Sequence, residues 1–555
     1  MKSDGIVTEP AHRLVETPTP KSASSSLDLR WLAAGASLLF SALSVFLDPV
    51  INNDGILYLS AAEHFREGNW EAGAALFKWP FYSFAIGTVS SGTGLDVEIA
   101  AHVLNAILTV ILVVAFVSIV REAALAAPSA TVQATGPTTA WTRRLEWLTV
   151  LTILGYASLN DYRAFVSRDT GYLAFYLLGL LFLFRYCRCP TWSGALAWGF
   201  AITTAVLFRI EGVVFWVLAP LALLLQRRST ERSRWLEFAR AHATLLVGAA
   251  ALCAAFAVPA LRDSDALARL KLAEPWTRVQ LFLTAIANLP EKAATLVGTI
   301  LPIQSADHAI PILVLSLAYV LVVETLMTLT PLHLVLVGYA MRKRLLFPQD
   351  GFFRSWAWCV TLGFGLLVVY VPARALLTGR YPLALCLTLL VAVPFSLSRL
   401  YESWQASRAT APSAAASKGQ RWSGWAFPLA ALLLAIGAVD GLVSFGATKH
   451  HLREAGAWIR AQPQKEKRVF SNDRILGYYA GHESPETLQN IPWDETRRFL
   501  EGDADQDYEF VALRFRRRMV EEAEWATKRI GVEPVQEFRN RRGDRVLIFA
   551  PPATE

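Results

Sequence analysis

The chain has 555 residues, 54% of them hydrophobic and 18% charged, with 18 Trp, 30 Phe and a mean hydropathy of +0.36. Soluble domains run at about 25% charged residues, so this balance excludes a plain cytosolic enzyme, a secreted disulfide scaffold and a disordered chain, and indicates a polytopic membrane protein. The net charge is +7, but the Lys and Arg fall mostly between apolar runs, where they orient helices instead of contacting nucleic acid.

In chain order, residues 1–30 are rich in Ser, Thr and Pro and read as a disordered cytoplasmic tail. The first apolar run, 31–50, lacks a small-residue cleavage site and reads as an uncleaved first span. Ten more candidates follow at 97–120, 145–160, 170–186, 193–208, 212–226, 243–261, 317–341, 356–373, 382–398 and 424–446. About eleven spans are therefore expected in an all-α polytopic domain over 31–446. With the amino terminus inside, the cytoplasmic segments carry 22 Lys or Arg and the opposite loops 12, which places the amino terminus in the cytoplasm and the carboxy terminus outside. The tight point is 193–226, which as a continuous helix reaches only about 51 Å, too short for two full crossings and a turn. A shallow hairpin suits the Arg clusters at both its ends, since both prefer the cytoplasm.

Past 446 the composition changes. Segments such as HHLREAGAWIRAQ and RRRMVEEAEWATKRI have helical apolar spacing, and RVFSN, YEFVALRF and DRVLIFA read as short buried strands. A small extracytoplasmic α/β domain over 447–555 is expected. The long loop 262–309 places Leu272, Trp276 and Val279 at helical spacing and reads as helices lying in the interface, with Pro275 weakening a continuous helix. The five cysteines imply no disulfide framework, and no His or Cys cluster has the spacing of a metal site. No Gly-rich phosphate loop points to a nucleotide. We expect no metal and no cofactor.

The first external loop reads Ile51-Asn52-Asn53-Asp54-Gly55-Ile56-Leu57-Tyr58, then Glu63 to Trp70, then Lys78-Trp79-Pro80-Phe81-Tyr82. Further on come Arg163 to Asp169, Leu207-Phe208-Arg209-Ile210-Glu211-Gly212, and Thr378-Gly379-Arg380-Tyr381-Pro382-Leu383. This order of motifs resembles the GT-C membrane glycosyltransferases, in particular the polyprenyl-phosphate-dependent branch of aminoarabinose transferases and protein O-mannosyltransferases (glycosyltransferase family 39-like). In that branch an acidic residue follows the first span and a Lys-Pro-Pro-Leu-Tyr-like motif closes the loop; here Trp79 stands where the first Pro is usual. The resemblance implies an inverting transfer from a polyprenyl-phosphate sugar donor to an extracytoplasmic acceptor, without a divalent ion. It makes Asp54 and Asp169 the catalytic candidates. Lys78, Arg209 and Arg380 become candidate contacts to the donor phosphate, and Tyr58, Tyr82, Arg168, Glu211 and Tyr381 to substrate. The short loops and the absence of cysteines from the outer domain fit a bacterial inner membrane, where the chain would lie among membrane lipid with its carboxy-terminal domain periplasmic.

The residues themselves leave other roles open. A carboxylate beside the acceptor can take its proton or hold it in line, yet Asp54 after two Asn can equally cap a helix. Asp169 can serve as an N-cap or pair with Arg168. Arg209, between two short apolar segments, needs a partner or a wet cavity, and Glu211 can supply the partner. Lys78 can be a surface lysine and Arg380 an interfacial anchor. Two other classes compete with the enzyme: a transporter for a lipid-linked glycan, against which no internal repeat is evident, and a noncatalytic envelope assembly protein.

Overall fold

The computed structural model describes residues 28–77, 79–126, 140–226, 231–260, 274–346, 350–409, 424–443, 449–463, 468–481, 488–502 and 508–550. Among the described residues, six helices are long and apolar enough to cross a membrane, as in a multi-pass membrane protein: Leu29–Leu47, Val97–Leu125, Arg168–Arg188, Ile303–Leu329, Gly351–Arg374 and Leu383–Ala409. The Arg168–Arg188 helix lies at the centre, packed against Val97–Leu125 on one side and Trp192–Phe208 on the other. Its Gly171 makes the second contact possible, because an added Cβ would fall 2.3 Å from the Phe208 ring. Helix starts are set locally. Asp28, Asp96, Ser167 and Thr191 each accept a backbone N–H of the turn they precede, which satisfies donors that the first helical turn leaves unpaired.

Several segments depart from the sequence reading. The run 317–341 is two helices, Ala309–Leu329 and Pro331–Arg342. The break falls at Thr330, which has φ +63°, just before Pro331, whose missing N–H cannot continue the helical ladder. The candidate 145–160 is helical over Ala140–Leu154 and stops at Gly155, which lies so close to Leu434 that a Cβ would meet its carbonyl at 2.8 Å. In the 193–226 segment the helix Trp192–Phe208 ends at Arg209, whose backbone is extended, and a short irregular helical stretch over Ile210–Leu223 doubles back along it. The Trp216 indole donates to the Thr203 hydroxyl at 3.1 Å across this hairpin. Pro275 sits at the second residue of the helix Glu274–Ala287, in the first turn, where proline is tolerated; Leu272 lies outside the described residues.

The carboxy-terminal domain is a four-stranded mixed sheet in the order β1-β2-β4-β3. Its strands are β1 (Val469–Ser471), β2 (Phe510–Phe515), β3 (Gln536–Arg539) and β4 (Arg545–Phe549). The β1 and β2 strands run parallel, while β4 is antiparallel to both β2 and β3. Alternation along the strands divides the two faces. Val511, Leu513, Phe515, Leu547 and Phe549 pack with Leu500, Ala523 and Ala526 of the helices Trp493–Glu501 and Val520–Ile530. Phe510, Ala512, Val546 and Ile548 turn the other way, into the core that Leu452, Ala455, Ile475 and Leu476 share with the helical bundle. Tyr479 completes this joint, its hydroxyl accepting the Ile51 N–H at 3.1 Å. The domain is thereby seated directly beside the turn that leads to Asp54.

At the other end of the bundle stand ion pairs of Glu122 with Arg185 and Arg188, Arg144 with Glu402, and Arg121 with Glu146. That end is the one the charge bias assigns to the cytoplasm.

Candidate functional site

Four distant stretches meet at the end of the bundle that carries the α/β domain. Asn52 begins the first of them, its side-chain oxygen accepting the Val166 N–H at 2.9 Å. This holds the start of the helix Asn53–Arg66 against the 163–169 segment. Asp54 lies in the first turn of that helix with its side chain 42% exposed. Asp169 occupies the same place in the Arg168–Arg188 helix, where Ser167 both accepts its backbone N–H and donates to its Oδ2. Carboxylates in these positions face the positive ends of two helix dipoles.

The arginines come from breaks between helices. The extended backbone at Arg209 turns its side chain away from the hairpin, and Nη1 reaches Asp169 Oδ1 at 2.5 Å. Its Nε and Nη2 grip Glu211 as a two-pronged fork at 3.3 and 3.1 Å. The guanidinium is only 6% exposed and lies 4.7 Å from the centre of the Tyr381 ring, with the Tyr172 ring at 5.7 Å. Arg380 projects from the connection after the helix Asp350–Arg374. It donates to Asp54 Oδ2 at 2.5 Å, stands 3.8 Å from Asp169 Oδ2 and is 32% exposed. Burial works against its charge, but Asp169 and Asp54 outweigh burial and hold this guanidinium above the ordinary arginine value.

The outcome is one continuous chain of ion pairs, Asp54, Arg380, Asp169, Arg209 and Glu211, open to solvent at the Asp54 end and closed at the Glu211 end. Beneath it lies a cavity of about 30 Å³, with Asp169, Arg209, Arg380 and Tyr381 at its polar end and Leu366, Leu367 and Leu385 at its apolar one. This is room for a water or two and not for a sugar, so a substrate has to approach at the Asp54 and Arg380 side or displace side chains.

The remaining candidates are placed as follows. Tyr381 is the platform under both arginines, 5.5 Å from Arg380 at its ring centre. Arg168 lies over the Phe77 ring at 5.1 Å. Tyr58 and Tyr82 do not line the cavity. They are buried together, their rings edge to face at 5.1 Å, and the Tyr82 hydroxyl donates to Asn105, whose amide donates in turn to the Phe165 carbonyl. Lys78 lies outside the described residues. Its neighbour Trp79 donates its indole N–H to the Val206 carbonyl at 3.2 Å, tying this loop to the hairpin just before Arg209. Among the described residues, no group of three or more His, Cys, Asp and Glu is close enough together to hold a metal ion.

Two parts of the arrangement were missed in the sequence reading. Tyr370 stacks on Tyr381 at 4.4 Å from within an apolar helix, where nothing in its spacing sets it apart. Arg163 is buried and donates to Asn160 Oδ1 and to Ser37 and Ser41 of the first helix. A charged residue beside an apolar run was a signal for such a clamp.

No protein-family model and no curated protein matches the chain. Among solved structures, the fold is similar to the archaeal oligosaccharyltransferase AglB from Archaeoglobus fulgidus in complex with an inhibitory peptide and a dolichol-phosphate. The identity is 10% over 88% of this chain and 70% of that one, with a TM-score of 0.46. A second Archaeoglobus fulgidus oligosaccharyltransferase structure, tethered through a disulfide bond to an acceptor peptide containing the NVT sequon, is similar at 11% identity over 87% and 69% of the two chains, with a TM-score of 0.44. No residue role is carried across at this level of likeness.

Proposed function

We propose that the chain is an inverting membrane glycosyltransferase of the GT-C type, with about eleven spans, that moves a sugar from a polyprenyl-phosphate carrier to an acceptor outside the cytoplasm of a bacterial cell. The observation that carries this reading is the ion-pair chain, which puts a half-exposed carboxylate and a half-exposed guanidinium 2.5 Å apart beside a cavity that is polar at one end and apolar at the other. A lipid phosphate presents the same sequence of polar head and apolar tail.

The residues then divide the work. Arg380 receives the donor phosphate. Only its Nη1 is within hydrogen-bonding distance of a carboxylate among the described residues, which leaves donors of its planar fork for phosphate oxygens. Phosphate at Arg380 competes with Asp54 for the guanidinium, so donor binding loosens the Asp54 carboxylate where the acceptor arrives. The acceptor oxygen attacks the anomeric carbon as the bond from that carbon to the phosphate oxygen breaks, and Asp54 takes the acceptor proton. The polyprenyl phosphate leaves against Arg380, whose fixed charge offsets the charge developing on the leaving oxygen. Arg209, with both its carboxylates engaged and almost no exposure, acts as a positioning residue that holds Asp169 and, through it, Arg380.

The test uses the purified full-length chain in nanodiscs with a labelled polyprenyl-phosphate sugar. Sugar transfer is expected, and Arg380→Ala should raise the KM for donor by about 10- to 100-fold, the equivalent of one charge-assisted hydrogen bond at about 1.5–3 kcal/mol. Lipid exchange between leaflets with no transfer from any such donor would instead establish the transporter reading.

A further inference from the structure

A large cavity near the candidate site lies in the α/β domain and has no part in the chemistry above. It measures about 1070 Å³ and opens at the carboxy ends of the parallel strands β1 and β2, the edge of an open α/β sheet where ligands usually bind. Asn472 and Asp473 follow β1 on its wall, Arg516, Arg517 and Arg518 follow β2, and Asn53 closes it on the membrane side. Asn53 directly precedes Asp54 in the same helical turn, so the cavity wall includes the turn that carries the proposed catalytic carboxylate.

Its charge is lopsided. Five arginines line it, Arg514, Arg516, Arg517, Arg518 and Arg542, against two acids. Both acids are already engaged in holding the fold. Asp473 caps the helix Arg474–Tyr479 through Oδ1 and pairs with Arg514 at 2.6 Å through Oδ2. Asp544 accepts the Arg517 backbone N–H at 2.9 Å and the Asn540 side-chain amide at 3.2 Å. Burial alone would raise its carboxyl, but these donors and Arg514 hold it below the usual aspartate value. The side chains of Arg516, Arg517, Arg518 and Arg542 pair with no carboxylate among the described residues. Inside the wall, Asn53 Oδ1 and Arg514 Nε are buried without a hydrogen-bond partner among the described residues, which leaves polar groups for a ligand to satisfy.

We infer that this arginine-lined cavity binds the acceptor, and that the acceptor is a saccharide bearing phosphate. The inference rests on the glycosyl-transfer reading for the word acceptor, but not for the anion. Arginine presents a planar fork that matches phosphate oxygens in pairs, and four such groups without counter-charges at one mouth repel each other until an anion arrives. The donor fits less well here, because ten of the fourteen lining residues are polar or charged and the four apolar ones, Ile491, Pro492, Trp493 and Met519, are too few to cover a polyprenyl tail. A saccharide anchored by its phosphate at Arg516 to Arg518 would point a hydroxyl toward Asn53 and Asp54. A surface that is merely solvated would have the same arginines but no phosphate affinity.

The probe is glucose 1,6-bisphosphate, titrated calorimetrically into the full-length chain in neutral-lipid nanodiscs at low salt. The expected result is saturable binding that weakens with salt and falls by roughly tenfold or more in the triple variant Arg516→Gln, Arg517→Gln, Arg518→Gln. All three residues are exposed on the turn after β2, and unchanged thermal unfolding checks the fold; Arg542→Gln, across the cavity, should weaken binding independently. Nanodiscs doped with phosphatidylinositol 4-phosphate form the second arm. If the triple variant loses the lipid-borne ligand more than the soluble one, the acceptor is membrane-anchored; the opposite order makes it soluble, and either order supports the site. Equal affinity in wild type and variants, or no saturable binding to wild type in either arm, overturns the inference. Asp54→Asn, which stops transfer on the reading above, removes none of the arginines and should keep the saturable bisphosphate binding that the triple variant loses, so loss of transfer and loss of anion binding are read separately.

Discussion

Asp54→Asn is expected to lower sugar transfer by roughly 10²- to 10⁴-fold, the usual contribution of a placed proton acceptor, while the protein keeps its stability. The two expectations come from the same geometry. Asp54 is 42% exposed and its partner Arg380 is 32% exposed, and ion pairs this accessible contribute about 0–1 kcal/mol. Asn keeps the shape and can still accept from Arg380, but it cannot hold the proton that the acceptor hydroxyl must lose. Transfer rates and thermal unfolding of the purified variant check both halves. A variant that transfers at the wild-type rate would remove Asp54 from the chemistry and favour the assembly-protein reading.

Arg209→Ala is expected to do the reverse, with a loss of stability of about 3–5 kcal/mol, as when one partner is removed from a buried ion pair. Among the described residues Arg209 is the only cation in direct ion-pair contact with Glu211, and it holds the Oδ1 side of Asp169; without it both carboxylates remain in a site closed to water. Arg209→Lys should recover little, since one ammonium lacks the fork that spans Glu211 and Asp169 together. Charge can be separated from packing by combining Arg209→Met with Glu211→Gln and Asp169→Asn, which should regain more than half of the lost stability. Thermal unfolding in detergent reads these differences. An Arg209→Ala protein as stable as wild type would mean that the two acids find other partners and that the ion-pair chain is not what holds this end of the bundle.

The elements of the candidate site were legible to different depths in the sequence. Arg209 could be picked out because an ionisable residue between apolar runs is costly to bury without a partner, whereas Asp54, Asp169, Glu211 and Arg380 were candidates through the order of motifs that resembles the GT-C transferases. Apart from Arg209 with Glu211, two residues on, their pairing could not be read, since it depends on how helices from four stretches of the chain are rotated. Tyr58 and Tyr82 show the limit: the loop motif that holds them says nothing about which side of each helix faces the cavity, and both turn into an aromatic core. The arginines after β2 were visible as a charged run, yet their meaning depends on Asn53, brought to the same cavity by the seating of Tyr479 against Ile51. In the fold, Pro331 carried the signal for the break at Thr330, but hydropathy averaged over 317–341 hid it. β3 was missed because it is a polar edge strand, exposed at alternate residues, with no apolar run to announce it.

The most direct test of the central claim, that Arg380 and Asp54 form the two halves of one transfer site, is a density map of the chain with a bound polyprenyl-phosphate sugar analogue. The account predicts phosphate density within hydrogen-bonding distance of the Arg380 guanidinium, the Asp54 carboxylate drawn away from that guanidinium, and the anomeric carbon between the two. Phosphate density elsewhere on the bundle, with the ion pair of Arg380 and Asp54 intact beside an empty cavity, would contradict it.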